Sequence, residues 1–172
     1  DEFRLMAREV CGDHGIANPR ESFELLQRRP TGEPIVAAPL TDAAAIDFWD
    51  RLRSKGFIDF TNIVFESYQI MNENPFVTSA IASRFHSILV DEFQDTTELQ
   101  TEILSLIARK ERTEFFIVGD PCQSIYRFAG ARPHLFTGFA EALGARTDVA
   151  LNENWRSNPS IIAHAERLFP RC

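Results

Sequence analysis

The 172 residues are 44% hydrophobic and carry 25 acidic against 18 basic side chains, so the formal net charge is −7 at pH 7. This apolar fraction excludes an intrinsically disordered chain, and a chain of this length can bury about 70% of its unfolded surface. The acidic balance argues against a broad phosphate-binding surface, since nonspecific affinity for DNA comes from basic side chains. Any contact with nucleic acid must therefore be local.

The cysteines indicate neither a metal site nor a disulfide framework. Cys11, Cys122 and Cys172 lack metal-ligand spacing and are odd in number. Nothing in the sequence resembles a signal peptide or an apolar span of 18 residues. We therefore expect a cytoplasmic protein that contacts no membrane.

Residues 1–86 are predicted to be mainly helical, with breaks between the helices. The stretch 22–29 favours a helix, and a loop with three prolines follows it up to Pro39. Thr41 is predicted to cap the next helix, which ends before Gly56. Two further helices are predicted over 60–71 and 77–85.

The short run from His86 to Val90 predicts a buried parallel strand, because it is too short for a helix and its last three residues are continuously apolar. Asp91 and Glu92 follow it directly. Ligands of open α/β sheets bind at the carboxyl ends of such strands. Asp91 would then hold Mg²⁺, and Glu92 would polarise the water that attacks a γ-phosphate.

Acidic residues after a strand have a second common role, which is to cap the following helix. Asp95 and Glu98 have the spacing of a capping box with Asp95 at the cap position, and we assign them to capping. Asp91 and Glu92 stand before any helical pattern begins. The local pattern therefore favours the catalytic interpretation for these two residues.

A helix and a second strand complete a βαβ unit. Apolar residues form one stripe along 99–107, and the run 115–118 predicts a second strand that also ends in an acid. Gly119 permits a tight turn and Pro121 ends the pairing. The polar loop that follows is placed above the magnesium, where Gln123 would sense a phosphate.

A third strand is predicted at 148–151, and a helix that opens at a proline follows, capped by Ser157 or Asn158. We expect its inner face to be formed by Ile161, Ile162, Ala165, Leu168 and Phe169. Trp155 and Arg156 precede this helix. As an isolated pair they favour a core tryptophan and a helix-end ion pair over a clamp on a base and a phosphate.

Three ordered motifs make the chain resemble the UvrD/Rep family of superfamily 1 DNA helicases; they occupy 90–96, 118–131 and 151–157. The resemblance implies an α/β fold in which 87–172 form a partial RecA-like P-loop NTPase motor domain, a parallel sheet with helices. Residues 1–86 would form a mainly helical accessory subdomain. It also implies an ATP-dependent DNA helicase that moves 3′ to 5′ on single-stranded DNA and unwinds duplex DNA in repair or recombination.

The resemblance assigns residues to the two implied cofactors, ATP and Mg²⁺. Asp91 corresponds to the magnesium ligand and Glu92 to the catalytic glutamate. Gln123 corresponds to the glutamine that contacts the γ-phosphate and links hydrolysis to DNA. Trp155 corresponds to the aromatic that stacks on adenine, and Arg156 to the arginine that reaches the γ-phosphate.

The resemblance places single-stranded DNA against two aromatic side chains, Tyr126 and Phe128. Stacking of a base on such a ring is worth about 1 to 3 kcal/mol and does not depend on sequence, which suits a translocating motor. Packing in the core is the alternative for both rings. Ala129 stands where the family commonly has an arginine.

A phosphate-binding loop of the form Gly-x-x-x-x-Gly-Lys-Ser/Thr is absent from the sequence, since neither Lys55 nor Lys110 ends a glycine-rich loop. We therefore expect an excised piece of a longer helicase that is inactive alone and binds nucleotide feebly. In RecA-like domains the strand that feeds this loop lies beside the magnesium strand. We expect the flank of 88–90 to be an open edge through which the piece self-associates.

Two other classes of function stay open at the level of sequence. One is a non-catalytic adaptor that keeps half of a nucleotide pocket in order to bind a partner. The other is a metal-dependent nuclease that uses Asp91, Glu92 and Asp95.

Overall fold

The computed structural model describes residues 2–17, 23, 26–36, 39–110, 113–124, 132, 134–146, 150–151 and 153–168. The helices in these ranges are α1 (Glu2–Asp13), α2 (Asp42–Ser54), α3 (Phe60–Glu73), α4 (Pro75–Ala82), α5 (Glu98–Ala108), α6 (His134–Ala142) and α7 (Pro159–Leu168). The strands are β1 (Gln27–Arg28), β2 (Pro34–Ile35), β3 (Ser87–Val90) and β4 (Glu114–Ile117). Short 3₁₀ turns occupy Phe93–Asp95 and Pro121–Gln123. No helix within the described ranges is long and apolar enough to span a membrane.

The N-terminal core is the cluster of buried side chains that joins α1 and α2. Phe48 lies fully buried at its centre, where ring centroids of Phe3 and Phe23 lie 4.9 and 4.5 Å away. Buried residues recur along α2 with helical spacing, which explains its amphipathic pattern. The predicted cap is confirmed, because the N–H of Ala44 donates to Thr41 Oγ1 at 3.3 Å.

The stretch 22–29, predicted to be a helix, contains strand β1, which pairs antiparallel with β2 in the predicted loop; of its described residues only Phe23 is helical. The prediction is wrong for the described residues from 26 onward. Gly32 adopts a φ of +91° in the turn, a conformation that glycine takes without strain. The Arg28 guanidinium lies 4.2 Å from the ring centre of Trp49 and 4.3 Å from that of Phe65. These tertiary contacts favour the strand over local helix propensity.

Helices α3 and α4 meet at Asn74, where the sequence predicts a break. Asp59 caps α3, since its Oδ1 accepts the N–H of Asn62 at 2.7 Å. Helix α4 begins at Pro75 and ends at Ala82, so the predicted span 77–85 is displaced towards the N-terminus. Proline suits the first turn of a helix because its missing N–H has no partner there in any case.

A second core lies between these helices and the parallel sheet. It contains Met71, Ala82 and Ile107, with Ile88 and Phe115 packed against it. Helices α3 and α4 both pack on α5. The division of the chain between residues 86 and 87 stays a prediction, and the second core draws side chains from both sides of it.

Strands β3 and β4 pair in parallel, with Val90 opposite Ile117, and α5 connects them. The predicted strand–helix–strand unit is therefore confirmed. The predicted burial of the first strand on both faces is wrong, because Leu89 is 74% exposed and Phe116 on the neighbouring strand is 63% exposed. In the described residues helices cover only the face that carries Ile88 and Phe115.

Helix α6 is not predicted from the sequence. Phe139 of this helix is buried, and its ring stacks on that of Phe93 with centroids 5.2 Å apart. The helix therefore packs against the turn that follows β3.

Beyond α6 the sequence-based predictions are met only in part. Of the predicted third strand, residues 148–149 lie outside the described residues, and 150–151 are not in a strand. Helix α7 begins at its proline as predicted, with Asn158 as the cap, since Asn158 Oδ1 accepts the N–H of Ser160 at 3.0 Å. The predicted inner face is wrong for Ile161, Ile162, Ala165 and Leu168, because no described residue of α7 is buried, while Phe169 lies outside the described residues.

Candidate functional site

Strands β3 and β4 continue beyond their carboxyl ends as two adjacent loops. We call 91–95 the first loop and 119–124 the second loop. The N–H of Val118 donates to the carbonyl oxygen of Val90 at 2.8 Å, and the N–H of Phe93 donates to that of Val118 at 3.0 Å. The ladder of the sheet is thereby extended into both loops, which brings their polar side chains together.

Asp91 and Glu92 are exposed at the start of the first loop. The N–H of Glu92 donates to Asp91 Oδ1 at 2.9 Å. Glu92 has φ +52° and ψ +40°, a left-handed conformation that costs a non-glycine residue about 1 to 2 kcal/mol. Strain of this kind persists where surrounding contacts hold it. The side chain of Glu92 is held by the amide of Gln94.

Gln94 connects the two loops from a buried position, with only 1% of its surface exposed. Its Nε2 donates to Glu92 Oε2 at 2.6 Å, and its Oε1 accepts the backbone N–H of Asp120 at 2.9 Å. Its backbone carbonyl oxygen accepts a hydrogen bond from Ser124 Oγ at 3.2 Å. No role is predicted for Gln94 from the sequence, because a buried amide carries no periodicity or charge signal.

The second loop is organised by the carboxylate of Asp120. Its Oδ1 accepts the N–H of Cys122 at 2.9 Å, and its Oδ2 accepts a hydrogen bond from Gln123 Nε2 at 2.8 Å. Gln123 is exposed. Its amide is therefore held at one end by Asp120 while remaining reachable from solvent.

Gly119 allows the two loops to approach closely. A Cβ atom at this position would lie 2.7 Å from Gln94 Oε1 and 3.1 Å from the backbone nitrogen of Phe93. The first distance is too short for a carbon atom and the second is tight, so a side chain here would push the loops apart. The close approach explains the glycine.

The helix cap after the first loop differs from the prediction. Thr97 caps α5, since its Oγ1 accepts the N–H of Gln100 at 3.3 Å and its own N–H donates to Gln100 Oε1 at 2.9 Å. The assignment of Asp95 and Glu98 to the capping box is wrong, because the 3₁₀ turn at 93–95 delays the start of the helix. Asp95 Oδ1 is buried without a hydrogen-bond partner in the part of the chain that the structure describes.

Asp91 offers carboxylate oxygens at an exposed strand end, a ligand chemistry that suits Mg²⁺. Within the described ranges, no group of three or more His, Cys, Asp or Glu side chains is placed to hold a metal ion. Mg²⁺ in phosphoryl-transfer sites is usually bound by one or two carboxylates together with phosphates and water. The residues present fit such a shared site, with Asp91 as the protein ligand.

Trp155 and Arg156 lie at the surface, and Trp155 is 91% exposed. A core position for this tryptophan is therefore wrong. Asn154 Oδ1 accepts the N–H groups of Arg156 at 3.0 Å and Ser157 at 2.9 Å. Among the described residues no hydrogen bond or ion pair joins Trp155 or Arg156 to the two loops.

The two residues predicted to contact DNA, Tyr126 and Phe128, lie outside the described residues. Their predicted stacking on bases stays a prediction. The second loop ends two residues before Tyr126 in the sequence.

Residues 32–143, which include both loops, match the family described as UvrD/REP helicase N-terminal domain. Similar curated proteins include an ATP-dependent helicase/nuclease subunit from Natranaerobius thermophilus, 31% identical over 125 residues, which are 69% of this chain and 10% of that protein. The corresponding proteins from Thermoanaerobacter sp. and Bacillus cereus (strain B4264) are each 36% identical over 135 residues; the matches cover 71% and 68% of this chain and 11% of each relative. The chain thus spans about a tenth of the length of these relatives.

Proposed function

The chain belongs to the UvrD/REP helicase family, and from this premise we propose that it supplies part of the ATP-hydrolysis site of a longer ATP-dependent DNA helicase. In this proposal its parallel sheet is part of a RecA-like motor domain. The observation that carries the proposal is the junction of the two loops. Glu92 beside Asp91 is hydrogen-bonded through one buried amide to the loop that holds Gln123.

Each of the three loop residues has a distinct role in the proposed hydrolysis. Asp91 binds Mg²⁺, which when present neutralises charge on the β- and γ-phosphates. Glu92 accepts a proton from the attacking water, and the exposure of its carboxylate lets water reach it. Gln123 donates from its amide to the γ-phosphate, held in place by Asp120.

The aromatic–arginine pair completes the proposed nucleotide contacts. The exposed ring of Trp155 is available to stack on adenine, and Arg156 offers a fork of donors to the γ-phosphate. An arginine that meets developing charge in this way changes phosphoryl-transfer rates by about 10³ to 10⁵. Both residues precede α7, so nucleotide binding would also fix the position of this helix.

The DNA part of the proposal depends on Tyr126 and Phe128. Their rings would stack on bases of single-stranded DNA. Because both residues follow Gln123 closely in the sequence, a movement of the DNA would be transmitted to the residue that contacts the γ-phosphate. We propose 3′ to 5′ translocation on single-stranded DNA and unwinding of duplex DNA, in repair or recombination. The chain's own net charge of −7 makes strong DNA binding by these residues alone unfavourable.

The phosphate-binding loop is assigned to another part of the longer enzyme. The 172 residues contain no Gly-x-x-x-x-Gly-Lys-Ser/Thr sequence, and without its amides and lysine the β- and γ-phosphates lose most of their contacts. We therefore propose that the 172-residue chain alone hydrolyses no ATP and that millimolar ATP leaves its Tm unchanged. A Tm rise of several degrees would contradict this, since mass action requires ATP well above its Kd.

The experiment that tests the proposed function is Glu92→Gln in the full-length helicase that contains this segment. Steady-state ATP hydrolysis should fall by about 10² to 10⁴, because an amide keeps the shape of the side chain but cannot accept the proton. ATP affinity should change little. Glu73→Gln, an exposed substitution at the end of α3, is the control and should leave the rate unchanged. If the Glu92→Gln enzyme hydrolysed ATP at the wild-type rate, Glu92 would not be the catalytic base.

The DNA contact is tested by Phe128→Ala in the same enzyme. Loss of a stacking ring should lower the DNA-stimulated ATPase rate and unwinding more than the basal ATPase rate, since no phosphate contact is removed. Gln123→Ala should lower both rates. Equal loss of basal and stimulated activity in a folded Phe128→Ala protein would place the ring in the core instead.

A further inference from the structure

We infer that Gln94 is a positioning residue for ATP hydrolysis, which sets the carboxylate of Glu92 and ties it to the position of the Gln123 loop. The inference rests on the proposed function and goes beyond it, because Gln94 itself touches neither phosphate nor metal in this assignment.

Both the nitrogen and the oxygen of the Gln94 side-chain amide make hydrogen bonds, and the two partners determine which way the amide faces. Its partner at 2.6 Å is a Glu92 carboxylate oxygen, which accepts, and its partner at 2.9 Å is the backbone N–H of Asp120, which donates. Nε2 must therefore face Glu92 and Oε1 must face Asp120. A flipped amide would set donor against donor and acceptor against acceptor.

Burial makes this orientation costly to change. Gln94 is 1% exposed, so water cannot replace either partner without opening the loop junction. The backbone of the first loop is fixed as well, because the N–H of Asp95 donates to the carbonyl oxygen of Glu92 at 2.9 Å. The left-handed backbone of Glu92 and the amide of Gln94 together hold the carboxylate in one place.

The same amide lies in a continuous path between the two proposed catalytic groups. Glu92 is bonded to Gln94, Gln94 to the backbone of Asp120, and the carboxylate of Asp120 to the amide of Gln123. A movement of the second loop on contact with a γ-phosphate would change the hydrogen bond at Gln94 Oε1. Because Gln94 is buried and hydrogen-bonded at both ends of its amide, that change would reach the Glu92 carboxylate.

Two substitutions in the full-length helicase distinguish the hydrogen bond from Gln94 to Glu92 from the one between Gln94 and the N–H of Asp120. Gln94→Glu keeps an acceptor for the N–H of Asp120 but cannot donate to Glu92 when ionised, whereas Gln94→Met removes both bonds at similar size. We expect both to lower kcat for ATP by about ten- to a hundredfold, with KM changed by less than about threefold, since displacement of a catalytic group by about 1 Å has this effect. Both should also reduce the stimulation of the ATPase by DNA, because each breaks the hydrogen bond between Gln94 and Glu92 in this path.

The matched control is Gln100→Met, which also removes a glutamine-to-backbone hydrogen bond but lies in the cap of α5. It should lower stability without changing kcat or KM. Gly119→Ala gives a second test in which Gln94 is retained, because the new Cβ would press on Gln94 Oε1 from 2.7 Å. We expect a fall in kcat there too.

Wild-type kcat in folded Gln94→Glu and Gly119→Ala enzymes would overturn the inference, as would a rise in KM without a fall in kcat. These outcomes are separable from failure of the proposed function. If Glu92→Gln hydrolyses ATP at full rate, the catalytic assignment fails; if Glu92→Gln is inactive and Gln94→Glu is not impaired, only the role of Gln94 fails.

Discussion

The N-terminal core and the parallel sheet bury their apolar side chains to very different degrees. In the N-terminal core, Phe48 is enclosed by α1, α2 and neighbouring rings and has no exposed surface. In the sheet, one face packs on helices, while Leu89 and Phe116 on the other face are mostly exposed. The residues proposed for chemistry stand at the end of this half-covered sheet.

The region that contributes most of the buried packing is therefore different from the region that carries the proposed catalytic residues. Close packing around Phe48 stabilises a region to which no catalytic role is assigned. The two loops depend instead on polar bonds through Gln94 and on the approach permitted by Gly119. Exposed apolar side chains on one sheet face are also typical of a surface that other structure covers.

The largest expected effect is in the N-terminal core. Phe48→Ala should lower the free energy of unfolding by about 3 to 5 kcal/mol, because a fully buried ring is replaced by a cavity. Phe60→Ala is the matched control, since Phe60 is 89% exposed and its loss should cost less than about 0.5 kcal/mol. Urea unfolding followed by circular dichroism measures both. Equal losses would show that the N-terminal core is not the main source of stability.

Adjacent residues of β3 test the two faces of the sheet. Ile88→Ala should cost about 1 to 3 kcal/mol, because Ile88 packs on the second core. Leu89→Ala should cost less than about 0.5 kcal/mol in the isolated chain, since Leu89 is already in solvent. The same unfolding assay compares them. A Leu89→Ala loss as large as that of Ile88→Ala would mean that the second face is covered.

Sequence patterns correctly predict those elements of the fold that are determined by interactions between residues close together in the sequence. Strand β3, helix α5 and the cap at Thr41 are of this kind, and the structure confirms them. The hairpin of β1 and β2 is missed, because strands of two residues show no periodicity and depend on distant contacts of Arg28. Helix α6 is missed for a similar reason, because it is stabilised by the packing of Phe139 on Phe93, which is distant in the sequence.

The candidate site is predictable to a similar extent. Motif order predicts that Asp91, Glu92 and Gln123 lie at the ends of neighbouring strands, and the two loops are adjacent in the structure. Their chemical roles stay predictions. The bridge through Gln94 cannot be read from sequence, because burial of a polar side chain between two loops is a tertiary property. The cap at Thr97 is missed because a 3₁₀ turn intervenes.

The open sheet also predicts an association of the isolated chain. In the described residues β4 is the sole strand paired with β3, so the other edge of β3 is a template for a second copy. We expect static light scattering at about 100 μM to give a mass above that of the monomer. Leu89→Lys should weaken the association by about tenfold, equivalent to about 1.4 kcal/mol, because charge on an edge strand opposes pairing.

The control for this association is Ile70→Lys, which places the same charge on an exposed apolar position of α3. It should leave the mass unchanged. A strictly monomeric, cooperatively melting wild-type chain would show that the edge of β3 is covered.

The smallest expected effect concerns an ion pair on the surface of the N-terminal region. Arg51 donates to Asp47 at 2.8 and 2.9 Å and to Asp13 at 2.7 Å, and His14 lies 3.1 Å from Asp47. The pKa of Asp47 is held below its ordinary value, chiefly by the hydrogen bonds from Arg51, while burial opposes the shift.

A carboxyl group whose pKa is lower in the folded protein than in the unfolded chain stabilises the fold above its unfolded pKa of about 3.9. That stability is lost as the pH falls through the lower folded value. Asp47→Asn should therefore reduce Tm at pH 7 by only about 1 °C, since the pair is partly exposed to solvent, and the difference should shrink as the pH falls below about 3.9. Glu9→Gln, an exposed substitution on α1, should show no such pH-dependent difference. Calorimetry at pH 2, 4 and 7 measures the two variants, and a Tm difference for Asp47→Asn that does not shrink between pH 7 and pH 2 would show that the ion pair is not its source.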